Sequence, residues 1–91
     1  MARALLIVKH QVTEFDKWHV VYDEVQPLRE KYGILDASVL QDPSNANDVT
    51  VLHWFPSADQ AQGFVSDPEL KDAMDRAGVA GPPRLEISVE A

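Results

Sequence analysis

The 91-residue chain contains no cysteine, which excludes disulfide staples, thiolate-bound zinc and thiol nucleophiles together. Basic residues are scarce: eight Lys and Arg stand against fifteen Asp and Glu, a formal charge of −7. A field of that sign repels phosphate backbones and anionic headgroups, so neither nucleic acid nor a membrane surface is an expected partner. Long apolar runs are missing too. The longest, residues 4–8, is far shorter than the ~20 residues a bilayer span needs, and no signal-peptide pattern follows Met1. The expected location is the cytoplasm. Gly-rich phosphate loops, dinucleotide fingerprints and a Ser-His-Asp nucleophile context are absent. The length fits one domain, residues 1–91, whose core buries only about two thirds of the unfolded surface. Association with a second copy is the remaining source of burial.

What is present is strong patterning. Residues 4–12, ALLIVKHQV, are apolar on both parities, as in a strand covered on both faces. Thr13 followed three residues later by Asp16 has the form of a capping box, so a helix is expected to start there. Phe15, Trp18, Tyr22, Val25 and Leu28 then recur at three- and four-residue steps, with Pro27 predicting a break near Val25 and Gly33 an end. Residues 34–41 read as a second strand, the turn-rich DPSNAND of 42–48 as a loop, and 49–55 as the returning strand of a hairpin. Ser57 with Gln60, and Asp67 with Pro68, open two further helical pieces, the second stopped by Gly78. Residues 80–83, AGPP, read as a rigid connector, and Leu85, Ile87 and Val89 alternate with polar neighbours as in an edge strand.

Strand, helix, strand, strand, helices, strand is the order of an α+β, ferredoxin-like βαββαβ fold, with a four-stranded antiparallel sheet and all helices on one face. The first and third strands are apolar on both faces, so the uncovered side needs a partner. The economical one is a second copy packed sheet to sheet, and a homodimer is predicted.

Histidine titrates near neutrality, so His10, His19 and His53 are the first candidates for proton transfer. His10 shares a strand parity with Leu6 and Val8, where an imidazole among aliphatic groups needs a partner or a ligand. His53 and Trp54 are adjacent in a strand and point to opposite faces; the pattern leaves open which one faces the helices. Antiparallel pairing sets His10 against Val49 or Thr50, about four residues, on the order of 13 Å, from His53. That is too far for both to hold one metal, and residues 42–53 lack the ligands of a calcium loop, so no metal is expected. Trp18 and Tyr22, one turn apart on the inward stripe, suit the wall of a pocket for a flat aromatic molecule. His19 lies beside the stripe and reads as a boundary residue. Arg76 and Tyr32 are weaker candidates for orienting an anion.

The segments VKHQVTEFDKWHVVYDE, TVLHWF and SDPELKDAMDRAGVAGPP resemble the dimeric α+β barrel superfamily, and within it the small antibiotic biosynthesis monooxygenase-like proteins. The resemblance spans nearly the whole chain. It implies a pocket between sheet and helices in each protomer and, in the oxygenase members, chemistry without metal or flavin, in which a deprotonated phenol or quinol gives electrons to oxygen. The haem-degrading relatives use an asparagine, a tryptophan and a histidine on a later helix; this chain has no histidine after His53 and no asparagine in its first strand. The function this implies is a cofactor-independent monooxygenase or cyclase for a hydrophobic, enolisable or phenolic substrate. His10 or His53 would take the proton, and Trp18, Tyr22 and Trp54 would shape the pocket. The alternative is a non-catalytic dimeric ligand-binding or accessory protein.

Overall fold

A computed structural model describes residues 2–91. The chain runs β1 (Ala4–Val12), α1 (Phe15–Glu24), α2 (Gln26–Lys31), β2 (Asp36–Asp42), β3 (Asn45–Phe55), α3 (Ala58–Ser66), α4 (Pro68–Ala77) and β4 (Val79–Val89). The strands form one antiparallel sheet in the order β2-β3-β1-β4, the ferredoxin-like arrangement the patterning predicts. β1 lies inside the sheet, which explains its apolar composition. Its even-numbered residues Ala4, Leu6, Val8, His10 and Val12 are buried under the helices with Val49, Val51, His53 and Phe55 of β3. Trp18, Val21, Leu28, Ala61, Phe64, Ala73 and Ala77 close this core from the helical side.

Pro27 acts as expected. Val25 ends α1 and begins α2, and the proline occupies the first turn of α2, where its missing amide costs nothing. The Ser57 and Asp67 caps form as well: Ser57 Oγ accepts from Gln60 N at 3.3 Å, and an Asp67 carboxylate oxygen from Glu69 N at 2.9 Å. Tyr32 ties α2 to the start of α4 by donating to the other oxygen of Asp67 at 2.6 Å. That donation and the Glu69 amide hold the Asp67 carboxyl below its ordinary range.

Two local readings need correction. Thr13 does not cap α1. The residue preceding the helix is Glu14, whose side chain makes no capping bond; the Phe15 amide instead donates to Asn47 Oδ1 at 3.0 Å, from a segment distant in sequence. Thr13 docks elsewhere, its amide donating to the Gly78 carbonyl at 2.9 Å, and a Cβ on Gly78 would sit 2.6 Å from Thr13 Oγ1.

The second correction concerns the 42–48 segment, whose turn proper is only Pro43 and Ser44. Asp42 pairs with Asn45 but Gln41 with Val49, so Ala46, Asn47 and Asp48 form a bulge in β3. The bulge is what aims Asn47 at the helix. Asn47→Ala should therefore cost about 1 kcal/mol, the usual value of a helix cap, while Thr13→Ala should not reproduce a capping loss. Urea unfolding of the two variants checks this.

Residues 80–83 are likewise part of β4 rather than a connector. Lys9 pairs with Arg84 and Gln11 with Ala80, so Gly81, Pro82 and Pro83 bulge opposite His10. Gly81 has φ 76°, the left-handed region where glycine carries no Cβ penalty.

The opposite sheet face carries Leu5 and Ile7 of β1, Leu52 and Trp54 of β3 and Leu40 of β2. No helix covers it. Leu40 is 48% exposed, and the other four are only partly buried.

Candidate functional site

The sheet and helices frame a half-open cavity of about 430 Å³. β1 and β3 supply its floor with Val8, His10, Val51 and His53; α1 and α2 supply one wall with Trp18, Tyr22 and Arg29; Phe64, Leu70 and Met74 of α3 and α4 face them. The β4 bulge and Leu85 stand at the edge.

Strand alternation places His10 and His53 here because both share the parity of the core residues. Their partners in the register are Val49 and Leu6. Each histidine stands beside one aromatic ring of α1: His10 lies 5.4 Å from Trp18 and His53 5.9 Å from Tyr22, centroid to centroid. Trp18 and Tyr22 stack at 5.0 Å, as the one-turn spacing requires. The result is an aromatic wall from His10 through Trp18 and Tyr22 to His53, continued by Phe64 at 5.6 Å.

His53 is 3% exposed, and its Nε2 shares a 2.9 Å hydrogen bond with the Tyr22 hydroxyl. Burial, helped by the nearby Arg29 charge, pushes its pKa down to about 3. Burial lowers His10 as well, but there the Val49 backbone and the Asp48 carboxylate act in the opposite direction. Tyr22 is raised by burial and keeps its proton. Both imidazoles have a buried Nδ1 without a hydrogen-bond partner. Buried polar atoms of a folded protein are rarely left unpaired, so two such nitrogens around one cavity form a site with unused hydrogen-bonding capacity.

The His53 burial has a measurable consequence. Between its ordinary value of 6.5 and about 3, the unfolded chain binds a proton at this position and the folded chain does not. Stability should therefore fall as pH drops through that window, by about 1.4 kcal/mol per pH unit from this group. Urea midpoints measured from pH 7 to pH 4 should show a shallower loss in His53→Gln; parallel curves would refute the assignment.

Of the residues singled out from the sequence, His10, His53, Trp18 and Tyr22 meet in this cavity. Trp54 is not part of it. Its side chain emerges on the uncovered sheet face, with the Arg3 guanidinium 4.6 Å from its ring, as alternation demands once His53 points inward. His19 stacks on Phe15 outside the core, and Arg76 pairs with Glu24 and Asp72 on the surface.

Arg29 also belongs to the site, although hydrophobic periodicity does not single it out. It is 3% exposed, lines the cavity and lays its guanidinium 3.9 Å over the Tyr22 ring. A signal existed: positions 18, 22, 25 and 29 follow the helical step, so a cation sits on the apolar stripe. Among the described residues no group of three or more His, Asp or Glu side chains is placed to hold a metal, and no helix is long and apolar enough to cross a membrane.

Among solved structures the chain is similar to a protein from Bordetella bronchiseptica assigned as an antibiotic biosynthesis monooxygenase. The TM-score is 0.83 at 11% identity, covering 100% of this chain and 99% of that one. The chain has the fold of the antibiotic biosynthesis monooxygenase-like proteins. SnoaB, a cofactor-independent oxygenase from Streptomyces nogalater, is similar with a TM-score of 0.75 at 8% identity, over 100% of this chain and 93% of that one. A monooxygenase of Streptomyces coelicolor, solved with the ligand nanaomycin D, gives 0.69 at 16% identity over 99% and 88%. No family model and no curated protein matches the sequence. At these identities the likeness establishes the fold and leaves the chemistry to the site.

Proposed function

We propose that this protein is a homodimeric, cofactor-independent monooxygenase or cyclase acting on a flat, hydrophobic, enolisable or phenolic substrate. The observation that carries this reading is the cavity of about 430 Å³, which brings two buried histidines with unpartnered nitrogens against a wall of aromatic rings. Its size lies in the range of small-molecule sites. The same fold serves SnoaB, a cofactor-independent oxygenase, and the S. coelicolor monooxygenase solved with nanaomycin D.

His10 is the better base of the pair. A nitrogen with a pKa near 3, as at His53, accepts a proton too weakly to ionise a phenol or an activated C–H group, whereas His10 has a neighbouring carboxylate that favours its protonated form. His53 instead fixes the Tyr22 hydroxyl. Once His10 takes the proton, the substrate carries an electron pair. Dioxygen can accept it, a CH2 group and O2 becoming a carbonyl and water, so that no external reductant is consumed; attack of the same enolate on an internal carbonyl would be a cyclisation. Trp18 and Tyr22 hold the flat substrate and exclude water.

The low basicity that burial gives both imidazoles favours a second reading, a non-catalytic dimeric ligand-binding protein. Oxygen uptake by EDTA-treated protein with an anthrone or a hydroquinone separates the two. Uptake with matching product supports the oxygenase reading, and a tightly bound compound left unchanged supports the second.

A further inference from the structure

Among the described residues Arg29 is the one buried charged group in the lining of this cavity; Lys71 and Asp75 of α4 line it from exposed positions. The chain gives Arg29 almost nothing to bind. Its Nε donates to Gln26 Oε1 at 2.9 Å, and its face rests on Tyr22. No ion pair among the described residues includes it. Asp23 and Glu30 act on it only through space, and Glu30 already accepts from Gln26 Nε2 at 3.2 Å. A guanidinium has five donors in a planar fork shaped for a carboxylate, and a buried cation without a counter-ion is costly. Beside it, His53 leaves a buried nitrogen unpartnered.

We propose that Arg29 is a substrate-binding residue that receives the carboxylate of a flat aromatic acid, setting the far edge of the ring system against His10. This rests on the reading of the cavity as a substrate site and names the substrate class. The two histidines lie four strand positions apart, on the order of 13 Å, so a ring system of two or three fused rings spans from one end to the other. The acid supplies the counter-ion that Arg29 lacks. Burial, which now lowers the pKa of Arg29, is then offset by the ligand's charge, and the same charge raises the pKa of His53.

Calorimetry of the 91-residue chain with 2-naphthoate and its neutral isostere 2-naphthamide tests this. The acid should bind ~10-fold or more tighter, the scale of a charge-assisted pair. Arg29→Gln should bring the two within about twofold of each other, and Arg29→Lys should keep part of the preference. In the 15N spectrum of the bound wild-type protein, the His53 ring should titrate at higher pH than in the free protein. Equal affinities in the wild-type chain, a preference that survives Arg29→Gln, or no binding of either probe would overturn the proposal. A charge preference without turnover of any substrate would sink the oxygenase reading and leave this one standing; oxygen uptake with a neutral substrate and no charge preference would do the reverse.

Discussion

With His10 as the base of the proposed oxygenase, replacing it by leucine should lower oxygen uptake by ~10²–10⁴-fold, the usual contribution of a positioned general base, while making the protein no less stable. The two effects separate because His10 is a poor core residue. It is 7% exposed among Leu6, Val8 and Val49, its Nδ1 has no partner, and burial opposes its charged form. Leucine removes the unpaired polar atom and keeps most of the volume, so a gain on the order of 1 kcal/mol is expected in urea unfolding. Unchanged turnover in His10→Leu would refute its role as base. His53→Leu should behave differently, since it also releases the Tyr22 hydroxyl: tighter packing would be offset by a half-buried hydroxyl left without its partner.

A single aspartate at Ile7 should convert the proposed homodimer into a monomer in sedimentation velocity at micromolar concentration. Ile7 stands mid-strand on the uncovered face, flanked by Leu5 and paired with Leu52. Burial of apolar area is worth roughly 25 cal/mol per Å², so a face of this composition contributes a large gross term to association, partly offset by lost motional freedom. An unpaired carboxylate sealed into such an interface costs several kcal/mol, enough to raise the dissociation constant more than ~100-fold. Val20→Asp is the control. Val20 is 59% exposed on α1, on the helical side of the sheet, and that variant should sediment as the wild-type protein does. A wild-type protein that is monomeric at these concentrations would remove the argument from two-faced burial.

Periodicity revealed most of this architecture because burial is what periodicity records. The parity of β1 and the 15, 18, 22, 25 stripe of α1 both mark surfaces in contact with the core. What escaped were contacts joining residues remote in the chain. The sequence around Thr13 has every local feature of a cap, yet Asn47 does the capping from a β3 bulge, and no local rule specifies that meeting. The bulges themselves hid behind composition. Proline, glycine and asparagine mark departures from regular pairing, and here the departures fall inside strands rather than between them. At the site, alternation showed that His53 and Trp54 must part company, but only the packed helices fix which of them turns inward. Arg29 was overlooked because charge on a helix is ordinarily a sign of solvent.

The paired prolines of the β4 bulge also bear on how copies of this chain can meet. β4 is an edge strand, and an edge with free amides is a template on which another chain's strand can zip. Pro82 and Pro83 have no amide hydrogen to offer, and the bulge breaks the straight ladder at that point. Growth of the sheet from this side, copy upon copy, is stopped by the same residues that border the cavity. The proposed homodimer, face against face, needs neither this edge nor β2 at the other end of the sheet, and such a pairing closes at two chains.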